Sequence, residues 1–280
     1  MNNKHGQFTK KSLIFVNLGG MLVCDGKLNS YSANVIKKAN AAGHKVCIVT
    51  NRGLLESIKF YQELELDTPI ITFNGGFVSN PSEMNKCALP IVNFNLSKSV
   101  VENLLNNPFI KQNIENGVLQ NSRTIRFIKK DKMVDFYEKR LTNEVKVCYG
   151  SDELENEYNS VLIKFKSETD DNEIINLFDK NRNTLQLSSY LPREKIAIVH
   201  SAVTRKELST EAVRVLLNFH NSETIAFGDG YSDISLLKAS AFAITVPNAS
   251  LAVRLSVNKI SRYTCQDGIV GRELEKILQL

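Results

Sequence analysis

Hydrophobic and polar positions along the first third of the chain follow two alternating rhythms. SLIFVN (12–17) is a short apolar run that stops at Gly19 and Gly20, the pattern of a buried strand meeting a tight loop. Residues 31–42 place Val35, Ile36 and Ala39 on one helical face, and Gly43 marks the stop. HKVCIVT (44–50) predicts a second strand, residues 53–63 a helix, PIITF (69–73) a third strand, and Asn74-Gly75-Gly76 a turn. The last third repeats the grammar. A helix over 204–219 sets Leu208, Ala212, Val215, Leu216 and Phe219 on one stripe, and Thr204 with Glu207 has the spacing of a capping box. SETIAFGD (222–229) reads as a strand ending in Gly-Asp-Gly. A helix near 232–239, the strand FAITV (242–246), a short helix from Asn248 and a terminal helix over about 269–279 follow. Strands alternating with helices imply a parallel, doubly wound α/β sheet.

The middle of the chain has a different rhythm. Strand-like runs at 124–128, 161–166, 185–190 and 195–200 are mixed with helical patterns at 97–106 and 172–180. The division this suggests is a Rossmann-like core over 1–83 and 200–280, with an α+β domain over 84–199 inserted into it.

Composition narrows the class. Of 280 residues, 42% are hydrophobic and 23% charged, which argues against a disordered, collagenous or coiled-coil chain. The formal charge of +5 comes from 35 basic and 30 acidic residues that are interspersed, so no nucleic-acid partner is expected. No apolar run is long enough for a membrane span. The five cysteines (Cys24, Cys47, Cys87, Cys148 and Cys265) are scattered, odd in number and without a Cys-x-x-Cys pair. They are expected to be reduced, buried small hydrophobes, and the expected location is cytoplasmic.

Ligands of a doubly wound sheet bind at the carboxyl ends of its strands. Asn17, Leu18, Gly19 and Gly20 follow the first strand, and Thr50, Asn51 and Arg52 the second. Lys206 opens the helix after the insert, and Asp229 ends the next strand, with Asp233 one helical turn on. A hydroxyl, a lysine and two carboxylates at one rim make a phosphate-plus-magnesium inventory.

GHKVCIVTNRG (43–53), IITFNGGFV (70–78), AVTRK (202–206), FGDGYSDISLL (227–237), VPNAS (246–250) and QDGIV (266–270) occur in an order and at spacings that resemble the haloacid dehalogenase (HAD) phosphohydrolase superfamily. Within it the chain resembles the Cof-type subfamily, which carries a large C2-type cap between its second and third motifs. The resemblance implies Mg²⁺-dependent hydrolysis of small phosphate monoesters, often sugar phosphates. It makes Thr50, Asn51 and Lys206 phosphate-binding residues, and it makes Asp229, Asp233, Asn17 and the Gly19 carbonyl the metal site. The cap would close over the rim and choose the substrate.

The first motif departs from the family pattern Asp-x-Asp-Gly-Thr-Leu. The chain reads Asn17-Leu18-Gly19-Gly20-Met21-Leu22. Asn17 stands at the nucleophile position, where an aspartyl-phosphate would form, and an amide is a far poorer nucleophile than a carboxylate. Gly19 stands at the acid/base position and has no group to move a proton. A neutral Asn17 also removes a negative charge from the metal site, so weaker Mg²⁺ binding is expected. The expectation is therefore a HAD homologue that binds a small phosphorylated metabolite with its catalysis impaired, a protein partner being an option for an inactive protein. An active phosphatase with a rearranged site, or a purely structural or interaction protein, are the alternatives. Asp25 lies too far along the loop to replace the nucleophile. The histidines His5, His44, His200 and His220 are isolated and are expected to be structural or surface residues, and the basic cluster Arg123, Arg126, Lys129, Lys130 and Lys132 is expected to be a solvated face.

Overall fold

The computed structural model describes residues 11–82, 89–138, 146–151 and 153–280. His5 and Cys87 lie outside them. The chain forms two compact units, one of residues 1–50, 57–91 and 205–280 and the other of residues 51–56 and 92–204. The divide thus falls at 91/92 and 204/205, where the sequence pattern puts it at 83/84 and 199/200.

In the first unit the strands lie in the order Lys259–Ile260, Phe242–Thr245, Thr224–Phe227, Leu13–Asn17, Lys45–Val49, Ile70–Thr72 and Phe77–Ser79. All neighbours are parallel except the last two, which are antiparallel. Leu13–Asn17 is the central strand, and its apolar run reflects burial on both sheet faces: Leu13, Ile14 and Val16 have no exposed surface. The chain leaves this strand for Lys45–Val49 on one side and returns to Thr224–Phe227 on the other. That reversal opens the crevice in which open α/β sheets bind ligands.

The helix Ser30–Ala41 starts at Asn29, whose side chain accepts from the Ser32 backbone N–H. It packs against the terminal helix Ile269–Leu278, where a Cβ on Gly271 would lie 3.0 Å from the Ser32 Cα. The helix Lys206–Leu216 differs from expectation in two respects. Arg205, not Thr204, is its N-cap and makes no side-chain cap, so Thr204 and Glu207 form no capping box. Its buried face is Lys206, Ser209, Thr210 and Val213, while Leu208, Val215 and Leu216 are more than half exposed. Close packing on the Asn74–Gly75 turn selects the small polar face. The Ser209 hydroxyl donates to the Gly75 carbonyl at 2.6 Å, and a Cβ on Gly75 would sit 2.7 Å from the Arg205 carbonyl oxygen.

The expectation of five reduced cysteines is overturned. Cys24 and Cys265 form a disulfide with a Cα–Cα distance of 5.9 Å across 241 residues of sequence. The fold brings together the hairpin Val23–Cys24/Lys27–Leu28 and the loop before the terminal helix, which sequence spacing does not reveal. With that bond, cysteine usage no longer argues for a reducing compartment. Cys47 is buried and free, and burial pushes its thiol well up. No helix among the described residues is long and apolar enough to cross a membrane.

The second unit holds a six-stranded sheet in the order Lys146–Tyr149, Thr124–Phe127, Ile114–Gln120, Ser160–Phe165, Ile196–Ser201 and Leu185–Leu191. Its neighbours are antiparallel apart from the first pair. The helices Lys98–Asn106, Pro108–Asn113 and Asp171–Lys180 contribute Leu104, Ile110 and Phe178 to a core with Val161, Ile163, Phe165 and Val199 of the sheet. The helix Lys132–Glu138 joins Val118 and Phe127 in a smaller cluster. Ile114–Gln120 is a central strand that the sequence pattern misses, because Asn116 and Gly117 interrupt it. Both have packing reasons. The Asn116 side chain bridges the Lys129 backbone, donating at 3.0 Å and accepting at 2.9 Å, and a Cβ on Gly117 would lie 2.5 Å from the Ile128 side chain. Arg126 departs from the solvated face expected for its cluster: it is buried and its Nη1 donates to the Tyr149 carbonyl at 3.1 Å.

Candidate active site

The rim of the first unit is built from the carboxyl ends of its central strands. Val16 pairs with Phe227, and Asn17 with Val49, so Asn17, Thr50 and the Gly228–Asp229 turn lie side by side at the crevice. The loop after Asn17 folds back at once. The Leu22 and Val23 N–H groups both donate to the Leu18 carbonyl, at 3.1 and 2.7 Å. Leu18, Met21 and Leu22 are fully buried, so Met21 serves as an apolar anchor of this loop. Gly20 is required here: its φ is 74°, and a Cβ would lie 1.9 Å from Asp229 Oδ2. Asp25 sits exposed in the tip of the following hairpin, with a φ of 51° beside Gly26 at 80°.

Asn17 points its amide nitrogen into the site. Nδ2 donates to Asp229 Oδ1 at 2.9 Å, to Asp233 Oδ2 at 3.1 Å and to the Gly19 carbonyl at 3.1 Å. Asp233 is fully buried and satisfied by several donors. Lys206 Nζ lies 2.5 Å from its Oδ1, and the Asp229 and Gly230 backbone N–H groups donate to its Oδ2 at 3.1 and 3.0 Å. Lys206 is itself only 2% exposed. Gly228 is needed for this close approach, since a Cβ there would lie 2.7 Å from Asp233 Cβ. Burial raises the Asp229 carboxyl above its ordinary 3.8, and the Asp233 charge raises it further; the Asn17 N–H and Lys206 act in the opposite sense.

Asn17, Gly19, Lys206, Asp229 and Asp233 are thus joined in one hydrogen-bonded cluster. Thr50, 1% exposed, ends the adjacent strand; its N–H donates to the Ile71 carbonyl and its carbonyl accepts from Asn74 N–H. Asn51 follows it in the chain and belongs to the second unit. Sequence reasoning does not single out Asn74 as a site residue. It is buried at a φ of 58°, and no described donor reaches its Oδ1. The Asn-Gly dipeptide is the one signal that marks it.

The chain matches the haloacid dehalogenase-like hydrolase family over residues 14–271 and belongs to it. The chain is 27% identical to the 5-amino-6-(5-phospho-D-ribitylamino)uracil phosphatase of Bacillus subtilis, over 97% of this chain and 99% of that one. A HAD/COF-like hydrolase from Plasmodium vivax superposes with a TM-score of 0.81 at 19% identity, covering 96% of each chain. A HAD subclass IIB sugar phosphatase superposes with a TM-score of 0.75 at 18% identity, covering 95% of this chain and 98% of that one.

Phosphatases of this superfamily generally use Mg²⁺. As arranged here, the residues do not fit it. The oxygens that would face a cation are already met by an NH₂ group at hydrogen-bond distances of 2.9–3.1 Å, whereas Mg²⁺ needs oxygens at about 2.0–2.1 Å in octahedral array.

Proposed function

We propose that this family member binds a small phosphorylated metabolite at the rim and hydrolyses it poorly or not at all. The observation that carries the reading is the Asn17 side chain. Where an attacking carboxylate would stand there is an amide whose nitrogen is committed to Asp229, Asp233 and Gly19. A bound phosphoryl group would meet no carboxylate nucleophile at that position. Nor would it find an acid at Gly19 to protonate a leaving oxygen, a contribution worth about 10²–10⁴-fold. Donors remain. The Lys206 ammonium has three hydrogens, of which Asp233 takes one. That two proteins resembling this chain are a 5-amino-6-(5-phospho-D-ribitylamino)uracil phosphatase and a sugar phosphatase supports the ligand class.

The test measures phosphate release from a panel of sugar phosphates by the natural protein and by the double variant Asn17→Asp/Gly19→Asp. Gly19 lies outside the left-handed region, so an aspartate there imposes no backbone strain. The natural protein is expected to release no phosphate above buffer while its melting temperature rises with a bound sugar phosphate, and the double variant is expected to turn over. Release by the natural protein that Asp229→Ala abolishes would overturn the impairment and establish a rearranged active site. The absence of any ligand-induced shift would leave the structural or interaction reading standing instead.

A further inference from the structure

We propose that the Asn17 amide takes the place of a divalent cation, so that this rim assembles without metal and a phosphoryl group is held there by protein donors alone. Three oxygens from two strand ends converge on one atom: Gly19 O, Asp229 Oδ1 and Asp233 Oδ2 lie 3.1, 2.9 and 3.1 Å from Asn17 Nδ2. Converging oxygens repel one another unless positive charge stands between them. Amide hydrogens supply it here. With no cation between these oxygens, electrostatics turns the amide nitrogen toward them. Turned over, Asn17 would aim Oδ1 at the same three oxygens, an arrangement that only a cation could hold. Lys206 supplies the second positive group, 2.5 Å from the other oxygen of Asp233 and buried with it. Asp229, Asp233 and Lys206 together carry one net negative charge. An aspartate at 17 would make it two and would remove the N–H donors, leaving a cup that needs a metal. Gly19 adds its carbonyl to the cup and no charge. The statement about the cation stands on this geometry alone; the statement about the phosphoryl group rests on the function proposed above.

The test follows thermal unfolding of the natural protein in EDTA and in millimolar Mg²⁺ at matched ionic strength, together with a Mn²⁺ titration read by the EPR signal of the free ion. The same measurements are made on Asn17→Asp. The natural protein is expected to melt at one temperature with and without Mg²⁺ and to leave the free Mn²⁺ signal undiminished. Asn17→Asp is expected to melt several degrees lower in EDTA and to recover in Mg²⁺, since an ion that binds only the folded state must stabilise it. A Mg²⁺-dependent rise in the natural protein, or a loss of free Mn²⁺ that Asp229→Asn abolishes, would overturn the inference and show that the amide turns its oxygen to the ion. If Asn17→Asp does not fold, the Mn²⁺ titration of the natural protein decides alone. Neither readout measures hydrolysis. Phosphate release in EDTA would therefore overturn the impaired function and spare this inference, whereas Mg²⁺ binding without release would do the opposite.

Discussion

Two neighbouring strands, Leu13–Asn17 and Thr224–Phe227, run parallel in register and deliver their carboxyl ends to the same crevice, yet the two ends have different chemistry. The second keeps Asp229 and Asp233 in a turn whose glycines, Gly228 and Gly230, let the Asp233 carboxylate fold back against the backbone. The first has Asn17 and Gly19 and carries no charge. The ends remain complementary, because the amide of one donates to the carboxylates of the other. What this teaches is that an uncharged strand end can be matched to a doubly acidic one through a single amide. Two buried carboxylates need a positive or proton-donating neighbour whatever the chemistry above them. An amide at position 17 and the ammonium of Lys206 meet that need.

Removing the anchor of the second strand end is the most damaging way to break the pairing. Asp233→Ala would leave the Lys206 ammonium, 1% exposed at its side chain, buried without its partner. A loss of about 3–5 kcal/mol in chemical denaturation is expected, as for other broken buried pairs. A loss below about 1 kcal/mol would mean that Lys206 finds water or another acceptor, since net hydrogen bonds to charged groups are typically worth more than that. The contact between the two ends is probed next by Gly20→Ala, with Gly26→Ala as its control. Both glycines are left-handed, at φ 74° and 80°, but a Cβ on Gly20 meets Asp229 at 1.9 Å while one on Gly26 meets nothing within 4 Å. Each should lose about 1–3 kcal/mol to backbone strain, and Gly20→Ala should lose more. Equal losses would show that the Asp229 carboxylate moves aside freely.

The smallest expected effect sharpens the comparison most. Asn17→Ala removes one donor group from two carboxylates and is expected to cost about 1–3 kcal/mol near neutral pH. The Asn17 N–H holds the Asp229 carboxyl down against burial and the Asp233 charge, so its removal raises that group further. A carboxyl raised in the folded state contributes stability that is fully present below its unfolded value and lost as pH rises through its folded one. The gap in stability between the natural protein and Asn17→Ala should therefore narrow as pH falls from neutral toward the ordinary carboxylate value of 3.8. A gap that stays constant with pH would show that the amide supports the loop by its bond to the Gly19 carbonyl and leaves the carboxylate charges alone.

Much of this is legible in the sequence. The continuous apolar runs 12–17 and 224–227, each ending at glycine, locate the central strands and their carboxyl ends, because only doubly buried parallel strands need such runs. Asn17, Gly19, Lys206, Asp229 and Asp233 could be picked out by motif spacing. The sequence reading failed where long-range packing overrode local pattern. The strand Ile114–Gln120 reads poorly because Asn116 and Gly117 are chosen for a loop they contact. The apolar stripe Leu208, Val215 and Leu216 faces outward because the helix must approach the Gly75 turn with its small residues. Cys24 and Cys265 meet across 241 residues, a distance at which spacing carries no information.

The sequence by itself determined the family, the doubly wound core and the amide at position 17, because each depends on residue identity and local periodicity. Only the tertiary structure decided which end of the Asn17 amide faces Asp229 and Asp233. That choice depends on how many oxygens converge on one point and on the charge Lys206 brings to them, and both are set by strand ends more than two hundred residues apart in the chain.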